Sequence, residues 1–228
     1  MKTVIFDFDG TLHQGYNIWK ALWHSLGYET HRFSKYYEML QDYKNGTLSK
    51  KDWYEITRKA FERKGLSQKK VWAIADKIQL LEGAEETFKT LKENGYALYI
   101  VSGNVDDVIK IALKNSKKYF DGIYANKFIY NKNGFFKAIN GTNYDYEGKA
   151  KFIERYKRET GTPAKDITFV GDGENDEWAY LSGCKTICLN PYEGTDSTNT
   201  TKWHKVIKTK NLTDLLPEIL EENEHGLK

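Results

Sequence analysis

Two short apolar runs, each ending abruptly in acidic residues, constrain this chain more than any other feature. Val4-Ile5-Phe6 is β-branched and aromatic and runs into Asp7-Phe8-Asp9-Gly10-Thr11, so it reads as a buried strand that stops near Asp7. Far downstream, Ile167-Thr168-Phe169-Val170 has the same character and runs into Gly171-Asp172-Gly173-Glu174-Asn175-Asp176. Open α/β sheets bind their ligands at the carboxyl ends of their strands. Aspartates gathered at two such ends predict a hard-cation site suited to phosphate chemistry.

The chain between these runs alternates strand and helix after residue 82. Ala84, Phe88 and Leu91 recur at helical spacing, with Gly95 as the stop, and Ala97 to Val101 reads as the next strand. Val105, Val108, Ile109, Ala112 and Leu113 mark another helix stripe. Gly122 to Ala125 reads as a weak strand, and Phe128-Ile129-Tyr130 with Phe135-Phe136 as a separate hairpin about a glycine turn. A helix is expected from about Gly148 to Thr160, strands near Thr186–Leu189 and Lys205–Ile207, and a last helix over Thr213–Leu220. This rhythm predicts an α/β fold with a mainly parallel sheet covered on both faces.

Residues 14–82 break the rhythm. They hold no convincing strand, and Ile18, Leu22 and Leu26, then Trp53, Ile56, Ala60 and Phe61, fit helix faces. Ser49 with Asp52 supplies helix-start chemistry. The expected division is therefore a core of residues 1–13 and 83–228 with an inserted helical cap of residues 14–82, hanging over the first acidic loop.

Bulk properties exclude several functions. The net charge is only +3, and lysines interleave with glutamates instead of forming a stripe that would track a nucleic-acid backbone, so no nucleic acid is expected. No apolar run is long enough to span a bilayer and no signal-peptide pattern opens the chain, so no membrane and a cytoplasmic setting are expected. The two cysteines, Cys184 and Cys188, fit neither a disulfide framework nor a zinc site and read as small core fillers. The histidines, His13 among them, show no ligand spacing and read as structural or exposed.

Asp7-Phe8-Asp9-Gly10-Thr11, Val101-Ser102-Gly103 closing a strand, Lys149 opening a helix, and Gly171 to Asp176 stand in the order that resembles the haloacid dehalogenase superfamily, close to its phosphoserine-phosphatase-like branch. The resemblance implies a Rossmann-like core and Mg²⁺ held by Asp7, the Asp9 carbonyl and Asp172. It implies Asp7 as the nucleophile that forms an aspartyl-phosphate, and Asp9 as general acid and then base. Ser102, the Gly103 amide and Lys149 would hold phosphate, Asp176 would order Lys149 or metal-bound water, and Asn175 would support the phosphate region. Glu174 is expected to face solvent.

The implied partner is a small phosphorylated metabolite. Where phosphoserine phosphatases carry a glutamate just past the first motif, this chain reads His13-Gln14-Gly15-Tyr16-Asn17, and Asn104 stands where they have a second glycine. Tyr16 and Arg58 are the first candidates for substrate selection. Phosphotransfer to another acceptor, or a non-catalytic binding role on the same fold, remain alternatives to hydrolysis. Nothing in the sequence reads out an oligomeric state.

Overall fold

The computed structural model describes residues 1–15, 17–191 and 195–220. Strand β1 (Thr3–Phe6) is followed by four helices, α1 (Ile18–Ser25), α2 (Lys35–Lys44), α3 (Lys50–Arg63) and α4 (Gln68–Ala75). Helix α5 (Ala84–Glu93), β2 (Ala97–Val105), α6 (Asp106–Leu113) and the hairpin of β3 (Gly122–Tyr130) and β4 (Phe136–Asn140) come next. Then follow α7 (Glu147–Thr160), β5 (Ile167–Gly171), the short α8 (Glu174–Glu177), β6 (Lys185–Leu189), β7 (Lys205–Ile207) and α9 (Leu216–Leu220).

Among the described residues the strands form one sheet in the order β4-β3-β2-β1-β5-β6-β7, parallel throughout except for β4. Strand β1 lies between β2 and β5, with Phe6 opposite Ile100 on one side and Val170 on the other. Chain order reverses direction across the sheet there, which opens a crevice at the carboxyl ends of the central strands. The period-two alternation of a strand sorts side chains to two faces. Val4, Phe6, Leu98, Ile100 and Val170 join a core with α5, α6 and the inserted helices, whereas Ile5, Val101, Ile167 and Phe169 join a second core with Phe152, Ile153 and Tyr156 of α7. Cys184 and Cys188 are buried free thiols, as expected of fillers.

The inserted stretch is helical because each helix has a polar start and an apolar face. Asn17, Ser34, Ser49 and Ser67 each accept a backbone N–H from the first turn of α1, α2, α3 and α4, respectively. Their buried faces, Leu22, Trp23, Trp53, Phe61 and Val71, belong to the same apolar cluster as the β2–β3 side of the sheet. Phe61 sits at the junction, with ring centroids 5.7 Å from Trp23, 6.2 Å from Phe128 and 5.6 Å from Phe136.

Three local expectations are corrected. The weak strand at Gly122 and the hairpin arm at Phe128 are one continuous strand, β3, because Ile123, Tyr124 and Asn126 pair with β2 while Lys127 onwards pairs with β4. Strand β2 extends to Val105, but Ser102, Gly103 and Asn104 together oppose only Ala125, since the register jumps between Val101↔Tyr124 and Val105↔Asn126. Such a bulge re-aims the residues it contains. The terminal helix is split into a 3₁₀ turn, Leu212–Leu215, and α9, which carries Pro217 in its first turn, where no N–H is needed.

Phe61→Ala should lower unfolding free energy by about 3–5 kcal/mol, the usual cost of removing a buried aromatic ring. Urea denaturation should still show one transition, because the insertion and sheet share a core. Two separated transitions would show that they fold independently.

Candidate active site

The first acidic loop is held in place by the strand that precedes it. The Asp7 amide continues the ladder by donating to the Val170 carbonyl at 2.9 Å, and the Thr11 and Leu12 amides then turn back onto the Phe8 carbonyl. Gly10 makes that turn with φ +80°, and a Cβ there would collide with the Asp172 carboxylate. Asp7 is buried at 4% exposure, and the Asp9 side chain is about a quarter exposed.

The second acidic loop closes around a lysine. Lys149, fully buried in the first turn of α7, lies 2.8 Å from Asp7 Oδ1 and donates a short hydrogen bond to Asp176 Oδ1. The other Asp176 oxygen accepts the Asp172 amide at 2.9 Å. Asp176 thus orders both the lysine and the loop backbone. Lys151, two residues on, is exposed and pairs with Glu147 instead. Asn175 accepts the Tyr146 amide and so ties this loop to the segment leading into α7. Glu174 is exposed at the rim of the cavity.

Charge does not balance inside this cluster. One carboxylate oxygen from each of Asp7, Asp172 and Asp176 falls within 4.8 Å of the others, against the single charge of Lys149. Burial, reinforced by the neighbouring carboxylates and opposed by Lys149, pushes Asp172 up to about 9 and Asp7 up to about 7. Burial acts to lower the Lys149 pKa, but Asp176 and Asp7 outweigh it and hold that ammonium charged. Hard oxygen donors in excess negative charge are what a small divalent cation requires, so the donor set fits Mg²⁺.

The β2 bulge supplies the opposite wall. Ser102 is buried at 2% exposure, and Gly103 lies so close to Asp145 that any side chain there would meet its carboxylate. The Gly103 carbonyl accepts Trp19 Nε1 at 3.2 Å and Asn126 Nδ2 at 2.6 Å. Asn104 Nδ2 donates to Asp9 Oδ1 at 2.6 Å, and His13 Nε2 lies 2.8 Å from the same oxygen. The structure therefore brings together Asp7, Asp9, Ser102, Gly103, Lys149, Asp172, Asn175 and Asp176.

Over them lies a cavity of about 560 Å³, roofed by Trp19, Tyr36, Tyr43, Trp53 and Tyr54 of the insertion. Asp145 reaches the roof through Lys50 Nζ at 2.5 Å and the Tyr43 hydroxyl at 3.3 Å. Arg58 does not line this cavity: Glu55 and Glu62 bind its guanidinium along α3, each at 2.8 Å, which corrects its expected part in substrate selection. Tyr16 lies outside the described residues. Sequence patterns missed His13, Asn104 and Asp145, because their importance comes from a turn and a bulge that spacing does not announce. The one available signal was the tight Gly10 turn, which sends residue 13 back toward residue 9.

A crevice with these carboxylates, a buried lysine and a bulged serine defines a phosphoryl-handling hydrolase site on an α/β sheet. A family model described as haloacid dehalogenase-like hydrolase matches residues 1–180, and the chain belongs to that family. It falls in the phosphoserine-phosphatase-like branch, whose members mark it as a phosphatase. The phosphoserine phosphatase of Methanocaldococcus jannaschii is 30% identical over 176 residues, covering 77% of this chain and 79% of that protein. That of Campylobacter jejuni subsp. doylei is 27% identical, covering 77% and 81%. A solved phospho-aspartyl intermediate analogue of phosphoserine phosphatase superposes with a TM-score of 0.71 at 26% identity, covering 96% of this chain and 98% of that one. An apo phosphoserine phosphatase shares the fold, with a TM-score of 0.72 at 24% identity and the same coverage. No described helix is long and apolar enough to cross a membrane.

The raised carboxylate pKa values carry a stability consequence. Their folded values exceed the unfolded ones, so their contribution is fully present below about 3.8 and is lost progressively as pH rises from there to about 7 for Asp7 and about 9 for Asp172. In chelator, the thermal midpoint should fall over that range, and Asp172→Asn should flatten its upper part. A wild-type profile without this fall would show that repulsion within the cluster is negligible.

Proposed function

We propose that this chain is a Mg²⁺-dependent phosphomonoesterase acting on a small phosphorylated metabolite through an aspartyl-phosphate on Asp7. The observation that carries this is the buried Lys149 bridging Asp7 and Asp176 beside Asp172, at the carboxyl ends of β1 and β5. Asp7, the Asp9 carbonyl and Asp172 would hold the ion, which when bound screens the charge of both phosphate and nucleophile. Ser102, the Gly103 amide and Lys149 are the groups proposed to bind the phosphoryl oxygens.

An Asp7 oxygen attacks phosphorus as the bond to the leaving oxygen breaks, and Asp9 gives that oxygen its proton. Asp9, now a carboxylate, takes a proton from water as the water attacks phosphorus. The Asp7–phosphorus bond breaks, and inorganic phosphate leaves with both side chains restored. Splitting the displacement in this way places the charged nucleophile beside the lysine that stabilises it in both steps.

Residues 14–82 act in this proposal as the cap over a core of residues 1–13 and 83–228. The roof residues come from α1, α2 and α3, while the phosphoryl-handling groups come from the core, so the roof meets the leaving group. The cavity suits a small metabolite in size. Phosphoserine is the first substrate to test, because the named relatives carry that activity.

Asp7→Asn should abolish both turnover and covalent phosphate, and Asp9→Asn should slow turnover by about 10²–10⁴-fold. Rapid quench with mass spectrometry locates the phosphate. Phosphate on another residue, or full activity after chelation of the metal, would overturn the proposal.

A further inference from the structure

We propose that His13 and Asn104 are positioning residues for Asp9, fixing which of its two carboxyl oxygens exchanges a proton with the leaving group. The inference rests on Asp9 being the acid and base of the reaction, as proposed above.

Two donors converge on one oxygen. Asn104 Nδ2 reaches Asp9 Oδ1 at 2.6 Å and His13 Nε2 reaches the same atom at 2.8 Å. Asn104 is 2% exposed, and its own Oδ1 accepts the Val105 amide. A flipped amide would place an acceptor against the Asp9 carboxylate and two donors face to face at Val105, so Nδ2 must point to Asp9. His13 is 1% exposed, and its ring packs on Phe8 with centroids 4.8 Å apart. Its Nδ1 is buried without a partner. A bare ring nitrogen left unpartnered costs less than an unpartnered buried N–H, which assigns the hydrogen to Nε2 and makes His13 a second donor.

With Oδ1 engaged by both donors, the proton of the acid form resides on Oδ2. In the first step the Oδ2–H bond breaks as the leaving oxygen separates from phosphorus and gains that hydrogen. In the second step Oδ2 accepts a proton from the attacking water. Neither donor touches substrate in this scheme, and each acts by preventing rotation of the Asp9 carboxyl group. The two come from different elements, the turn after β1 and the β2 bulge, so the acid sits where the nucleophile's loop meets the phosphate-binding loop.

A proton on the leaving oxygen matters greatly for an alkyl phosphate and little for p-nitrophenyl phosphate, whose phenolate departs unaided. Single-turnover release of the alcohol or phenol, with Mg²⁺ present, isolates the first step. His13→Leu and Asn104→Leu should each slow release from an alkyl phosphate by about 10–100-fold, a part of the full general-acid effect, and release from p-nitrophenyl phosphate by less than about threefold. His13→Gln, which keeps an N–H directed at Oδ1, should recover most of the loss. Equal slowing of both esters, no slowing of either, or no recovery with glutamine would overturn the inference. Asp9→Asn separates the two layers: if it too slows both esters equally, Asp9 is not the acid, whereas if it alone shows the leaving-group dependence, the donors do not position it. Should His13→Leu fail to fold, Asn104→Leu carries the same comparison.

Discussion

A single buried ammonium organises the catalytic end of this molecule. Lys149 is fully enclosed, and burying such a charge is tolerable only because Asp7, just past β1, and Asp176, in α8, meet it from two sides. Removing one partner of a buried ion pair commonly costs about 3–5 kcal/mol, because the other is left uncompensated. The ends of β1 and β5 and the start of α7 are therefore tied to one another by the electrostatics that the chemistry needs. The excess of carboxylate over lysine is then a deliberate imbalance: it leaves the site short of positive charge by about what a divalent ion provides.

How much of this was legible in the sequence follows from which interactions are local. Val4-Ile5-Phe6 and Ile167-Thr168-Phe169-Val170 announce their strands by composition, and the acids immediately after them inherit their place from the strand ends. Lys149 is separable from Lys151 in the sequence only by its place relative to the Gly171 loop; in the structure the two positions, about 200° apart around α7, direct the first to Asp7 and Asp176 and the second to Glu147. The bulge at Ser102–Asn104 was not legible, because Ala97 to Val105 reads as strand then helix, and pairing with β3 decides where the strand stops. His13 has no ligand spacing, and its contact with the Asp9 carboxylate across the turn is of a kind that metal-ligand spacing does not register. Position along α3 alone does not tell which face Arg58 occupies; its neighbours Glu55 and Glu62, at i−3 and i+4, mark the outward face.

The insertion does more than cover the crevice. Asn126, fully buried, accepts the Tyr54 hydroxyl at 2.8 Å and the Thr142 amide at 2.7 Å, and donates to the Gly103 carbonyl, which also receives Trp19 Nε1. Two side chains of the inserted helices are thereby wired, through one asparagine and one carbonyl, to the Gly103–Asn104 peptide of the bulge. Displacement of α1 would strip a donor from that carbonyl, and displacement of α3 would remove a partner of the asparagine that supplies the other. In the proposed mechanism, which excludes water while the leaving group departs and then admits one molecule, the bulge would sense the roof through that carbonyl.

This arrangement separates two problems that a phosphatase has to solve. In the proposed mechanism, breaking the phosphorus–oxygen bond falls to buried charged groups at the strand ends, where geometry is fixed by strand pairing. In the same mechanism, choosing the leaving group falls to side chains on the inserted helices. Asp145 stands at the boundary: its carboxylate abuts Gly103 on the sheet side and binds Lys50 and Tyr43 on the roof side. A leaving group that carried its own cation or anion would compete for one member of that contact, and the roof would then report the substrate's charge to the phosphate-binding loop. Under the proposed cap role, selectivity would depend on whether the substrate preserves the Lys50–Asp145 ion pair between roof and bulge.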